Sequence, residues 1–218
     1  MMNFAFLRPA VACVMLSGLA ACGGGGGSDG AVTTEVVVPS AGDTTTSGNT
    51  VSGPRASAEV LLATWAPPTY TNLSAVPTSG SASYDGYLFG DLSNTSDDVT
   101  DTIVGSLSLR ANFNSSSASF TGTASDFVDS DDAAMTGSLT ISGGTLDRNG
   151  DPASDATLRG VNVAGTLTDS ADQDLVFAVQ LEGDFLGDTY DAIGGNALGG
   201  VSVDGVDQDF DGGFIAER

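Results

Sequence analysis

The sequence predicts an all-β protein: a single eight-stranded antiparallel up-and-down β-barrel, following a disordered N-terminal tether. Three observations predict it. From about residue 82 apolar and polar residues alternate strictly, the period of strands buried on one face only. Short polar turns separate the alternating runs, and no long stretch carries a helical period. Glycines recur on the apolar face, as the narrow interior of a small barrel requires.

The 218 residues hold 6 Lys+Arg against 28 Asp+Glu, with no histidine and a formal net charge of −22. All the cations are arginines: Arg8, Arg55, Arg110, Arg148, Arg159 and Arg218. A His-based triad, a lysine Schiff base, a P-loop lysine and an imidazole metal site are thereby excluded. So acidic a surface cannot neutralise phosphates, which excludes nucleic acid as a partner.

The first 22 residues read MMNFAFLRPAVACVMLSGLAAC. Arg8 precedes an apolar run, Ala10–Leu16, too short to span a bilayer. Small residues follow, ending in Leu19-Ala20-Ala21-Cys22. This resembles the lipobox of bacterial lipoproteins, an aliphatic residue and two small ones before the cysteine that is lipidated. The resemblance implies cleavage after residue 21, acylation of Cys22 with diacylglycerol and palmitate, and, with Gly23 next, passage to the outer membrane. Cys13 leaves with residues 1–21, so the domain holds no disulfide and depends on its core.

Residues 22–54 read as a flexible Gly/Ser/Thr-rich tether, with Val36-Val37-Val38 its one apolar cluster. Residues 55–81 read as an N-terminal extension packing on the barrel. Within it SAEVLLATW, residues 57–65, predicts a short helix capped by Ser57 and stopped before Pro67-Pro68. Trp65, the single tryptophan, is expected to pack against the domain.

The barrel occupies residues 82–218. Its strands are Ser83–Asp91, Ile103–Phe113, Ala118–Ala124, Met135–Ile141, Val161–Leu167, Leu175–Phe185, Gly194–Val203 and Phe210–Glu217. Parity slips between Leu158 and Val161, predicting a bulge at Gly160. A closed barrel removes exposed edges; a two-sheet sandwich fits the same alternation. A membrane-spanning barrel would turn its apolar face to lipid, but here that face carries a glycine in almost every strand.

Several stretches carry a second resemblance. Pro77–Gly86 opens the first strand, GSLSLRANFNSSSASFTG (Gly105–Gly122) pairs two strands, and Gly183–Gly187, Ile193–Gly195 and Phe210–Arg218 close the chain. Together they resemble the eight-stranded barrel of transferrin-binding protein B and its lipoprotein relatives in Gram-negative bacteria. The resemblance covers roughly residues 76–218. It implies a lipid-anchored, surface-exposed binding protein that captures a protein or nutrient ligand, such as a basic or iron-carrier protein. Larger members pair each barrel with a handle domain, for which this chain has no room, and no ligand-binding residue can be carried over.

The strand reading also places charge. Asp97, Asp98, Asp101, Asp126, Asp129, Asp131, Asp132, Asp169, Asp172, Asp174, Asp204, Asp207 and Asp209 fall in connections at one end. Only Asp147, Asp151, Asp155, Asp188 and Asp191 fall at the other, where the first strand starts and where the tether is expected to enter. The acidic crown should then face away from the membrane. Aspartate's preference for turns explains its abundance; a crown that draws basic partners or divalent cations, or repels an anionic leaflet, explains its lopsidedness. Asp207–Gly212 matches the start of a calcium loop, but the twelfth position is Arg218 where a bidentate acid is needed. No metal ligand, cofactor or catalytic residue is nominated, and no enzyme is expected. A structural or protective surface lipoprotein, and a cation-dependent adhesin, are the alternative readings.

Overall fold

The computed structural model describes residues 53–148 and 151–218, except Thr95 and Asp97. Cys22, the signal segment and Val36–Val38 lie outside the described residues. Helix α1 (Pro54–Thr64) precedes eight strands: β1 (Gly80–Ser93), β2 (Val99–Phe113), β3 (Ala118–Val128), β4 (Thr136–Leu146), β5 (Thr157–Thr168), β6 (Asp174–Leu186), β7 (Ala192–Val203) and β8 (Val206–Glu217). Each strand pairs antiparallel with the next, and β8 returns to β1, so the sheet is a closed barrel. Closure leaves no unpaired edge.

Alternation decides which face is buried. Leu107, Phe120, Leu139 and Phe177, drawn from four strands, share one interior cluster and are at most 3% exposed. Two aromatic groups fill it. Phe185 stands 6.0–6.3 Å, centroid to centroid, from Phe113, Tyr84 and Phe120, and Phe177 stands 5.9 Å from Phe210 and 6.5 Å from Phe127. The outer wall of β3 to β5 carries Thr121, Thr123, Ser138, Thr140, Ser142 and Thr166, paired hydroxyl to hydroxyl across the strands. Apolar inside and polar outside is the reverse of a barrel that faces lipid.

Three bulges bend the wall. The expected one at Gly160 is present, where the register slips between Leu158 and Val161 and Gly160 has φ +64°. A second, unforeseen, puts Asp126 at φ +54° and turns Phe127 inward. Phe127's ring then lies where a side chain on Gly105 would go, 2.5 Å from an added Cβ. A third lies between Leu92 and Ser93, opposite the start of β2.

Helix α1 starts three residues before the expected Ser57 cap. Pro54 occupies its first turn, where a missing N–H costs nothing, and Gly53 takes the cap position without a side-chain bond. Its apolar side, Ala58, Leu61, Leu62 and Trp65, follows the i, i+3, i+4, i+7 spacing of one helix face. That face covers an apolar patch on the outer wall made of Phe89, Val104, Leu186, Ala192 and Ile215. Trp65 thus packs against the barrel as expected.

Residues 69–77 then cross the end of the barrel where β1 begins. Thr71 N–H donates to Phe185 O (2.8 Å) and its hydroxyl to Gly187 O (2.5 Å), while Leu73 and Val76 enter the core. Arg148 clamps this strap by donating to the carbonyls of Val76 and Pro77. Tyr84, whose phenol is pushed up by burial, donates to Tyr190 O (3.1 Å) beneath it. One end of the barrel is therefore sealed.

Candidate functional site

The opposite end carries the acidic crown, and the structure shows what holds each aspartate there. Asp129 and Asp169 start three-residue hairpin loops of one design. In each, the carboxylate accepts from the backbone N–H groups two and four residues on, at 2.8–2.9 Å. The residues three on, Asp132 and Asp172, take φ +61° and +62°, the left-handed position that ends such a loop. Asn94 accepts in the same way from Ser96 and Asp98. Asp204-Gly205, both at positive φ, form the two-residue turn into β8. Asp101 ties two elements, accepting from Thr102 N–H (2.8 Å) and Ser130 N–H (3.1 Å).

Turn chemistry therefore accounts for Asp129, Asp132, Asp169, Asp172 and Asp204, and a bulge for Asp126. Asp98, Asp131, Asp207 and Asp209 have no such duty: among the described residues no hydrogen bond or ion pair ends on their carboxylates. Asp97 lies outside the described residues. Asp207, Asp209 and Asp211, the residues that match the start of a calcium loop, lie within β8 rather than in a turn, all on its exposed face and two residues apart, so they do not wrap an ion as a loop does.

Within the crown the barrel mouth opens a cavity of about 310 Å³. Leu92, Met135, Leu175 and Val203 form its apolar floor. Asp101, Asp129, Asp131 and Asp169 line it, and no arginine does.

The entry point of the chain corrects a sequence expectation. Arg55, 7% exposed, donates to Asp129 O (3.0 Å) and Thr102 O (3.3 Å) and stands 3.8 Å from Asp132. Those partners belong to the crown. Helix α1 thus begins at the acidic end and runs toward the sealed end, and the strap doubles the chain back into β1. The first strand does start at the five-acid end, but the segment preceding Gly53 joins the domain at the other.

A second concavity, about 910 Å³, lies between helix α1 and the outer wall of β1, β2 and β3. The helix rests on the large side chains Phe89, Val104 and Ile215. Beside them two registered rows, Glu217–Asp85–Ser108–Thr123 and Tyr87–Ser106–Ser125, end on the short side chains of β2 and β3. Ala56, Ser57, Val60 and Thr64 of the helix overhang these rows, and the shortness of the serines leaves the gap.

Comparison with protein-family models, with curated proteins and with solved structures returns no match. Among the described residues no group of three or more acidic or thiol side chains is placed to hold a metal ion. One carboxyl is perturbed: burial raises Asp184 above the usual range, a hydrogen bond from Thr157 (2.6 Å) opposes this, Asp155 adds to it, and Arg159 opposes it. Asp184 lies in β6 near the sealed end, away from both concavities.

Proposed function

We propose that this chain is a lipid-anchored binding lipoprotein of the outer membrane, held by Cys22, whose barrel presents its acidic mouth to a basic protein ligand. The observation that carries the ligand reading is the mouth itself: four carboxylates around an apolar floor, with no cation in the lining. A partner's lysine or arginine would place its aliphatic stem on that floor and its charge among the acids. The lipobox-like Leu19–Cys22 supports the anchor. The single eight-stranded barrel is consistent with kinship to the transferrin-binding protein B barrel, and capture of an iron-carrier protein remains part of that kinship proposal.

Cys22 stands 31 residues before Gly53. A chain of that length can reach as far as about 100 Å when extended, at ~3.3–3.6 Å per residue. The mouth, although at the chain-entry end, would therefore clear the headgroups and stay open to a partner.

A decalysine peptide serves as probe. Its association rate with the full-length lipoprotein is expected to fall steeply between 50 and 500 mM salt, and to fall again when Asp131 of the mouth and Asp98, Asp207 and Asp209 of the surrounding crown become Asn. These four carboxylates hold no loop, so the fold should survive. A rate indifferent to salt and to the substitutions overturns the reading. Mass spectrometry of the processed chain tests the anchor separately: an unmodified Cys22 removes it.

A further inference from the structure

The outer wall of β6 to β8 carries a surface that the fold does not account for. Three successive outward rows cross β5, β6 and β7 and end on β8 at Asp207, Asp209 and Asp211. The middle row is Ala164–Ala178–Gly200, and the rows beside it bring Val176 and Leu198, each about half exposed. The wall here is flat and apolar, with acid along one border. Helix α1 covers a different patch.

Gly200 is the decisive residue. A glycine inside a strand weakens it, and marks a bulge or a place where another backbone comes close. There is no bulge, because β7 pairs with β6 and β8 in unbroken register. Nor does the fold need the missing side chain: Gly200 is not in the left-handed region, and an added Cβ would meet nothing nearer than Gln208 O at 3.7 Å. Its bareness leaves a level approach from outside.

The three aspartates likewise serve nothing within the barrel. Among the described residues no hydrogen bond or ion pair ends on their carboxylates, and no arginine stands in their rows. Two residues apart on one strand, they repeat at ~6.8 Å, the spacing at which an extended chain presents every second side chain to one side. Closure leaves no edge for strand addition, so such a chain can lie only on a face. A second copy would bring the same aspartates, and a phospholipid surface its phosphates; both are repelled, and a cationic chain is attracted.

We infer that the outer wall of β6 to β8 is a docking face for an extended basic segment of the protein ligand, with Lys or Arg at every second position. The inference rests on the same reading of a basic protein ligand as the mouth does. The segment lies along β7, brought close by Gly200. Each inward-facing cation lays its aliphatic stem across one row and sets its charge at Asp207, Asp209 or Asp211.

The test is amide NMR of the isotope-labelled full-length protein, titrated with the hexapeptide Lys-Thr-Lys-Thr-Lys-Thr and with Lys-Lys-Lys-Thr-Thr-Thr as a control of equal charge. The alternating peptide is expected to give saturable shifts at Ala178, Leu198 and Gly200. The block peptide can turn only two of its three lysines to one side, and should bind about threefold more weakly, the loss of one exposed ion pair. Gly200→Gln fills the level surface without touching an acid, and should weaken the alternating peptide about tenfold while keeping the wild-type dispersion of amides. Asp211→Asn, an exposed change outside the mouth, should weaken it about threefold. Three results would overturn the face: no saturable shift on β6 and β7, equal binding by the two peptides, or wild-type affinity in either variant. Decalysine separates the two readings. A decalysine rate indifferent to salt and to the crown substitutions removes the mouth and leaves the wall shifts standing, whereas loss of the wall shifts with decalysine binding intact removes the wall alone.

Discussion

Gly105 shows how one missing side chain shapes the interior. The bulge at Asp126 swings Phe127 onto the spot, so Gly105→Ala must displace an aromatic ring held in the core. Overpacking of this kind costs about 1–3 kcal/mol; the account predicts a loss of about 2 kcal/mol, read as a lower urea midpoint at unchanged slope. The sequence placed Gly105 correctly on the apolar face but did not disclose Phe127 as its neighbour, because the bulge reverses parity within β3. Asp184 makes a prediction of opposite sign. Its carboxyl is raised above that of an ordinary aspartate, first by burial, so the folded chain holds that proton more tightly than the unfolded chain. Between the two pKa values the folded state binds more protons, and its stability falls as pH rises through that window. Asp184→Asn keeps an oxygen for Thr157 and removes the charge. It should therefore raise the melting temperature at pH 7 relative to wild type, with a smaller gain at pH 3. An equal effect at both pH values would contradict the role assigned to its charge.

Among the elements, the strands were legible and the strap was not. A strand buried on one face repeats every two residues, so residues such as Leu107, Leu139 and Leu181 disclose the inner face without any tertiary information. Residues 69–77 are buried by what they cross rather than by any period of their own, and the aim of Arg148 at their carbonyls has no local signature. Helix α1 is visible through its apolar spacing, but its start is not, because Pro54 in the first turn begins a helix as well as a serine cap does. Leu61, 9% exposed, is the largest buried apolar side chain that the helix sets against the wall. Leu61→Ala should cost about 2–3 kcal/mol if the contact stabilises like other buried leucine packing. Trp65 reports on it directly: its emission should shift to the red in that variant while the far-ultraviolet β signal persists. An unshifted Trp65 would mean that the helix stays docked by other means.

At the scale of the whole molecule, the barrel has a sealed end and an open, acidic one, and the helix decides which of them the chain enters. The crown was legible in the sequence because hairpin loops collect aspartate at alternate ends of an up-and-down barrel. Its orientation was not, because strand order alone puts the entry at the start of β1. Arg55 reverses that by fastening the helix to Asp129 and Thr102, a contact between residues 47 and 74 positions apart. The acidic end and the chain-entry end thus coincide. With Cys13 and Cys22 replaced by Ser, spin labels can be placed at Ser57 in the first turns of the helix, at Asp131 in the crown and at Asp188 beyond the sealed end. Pulsed electron resonance should give a shorter Ser57–Asp131 than Ser57–Asp188 distance. The reverse order would place the helix the other way round and contradict the account.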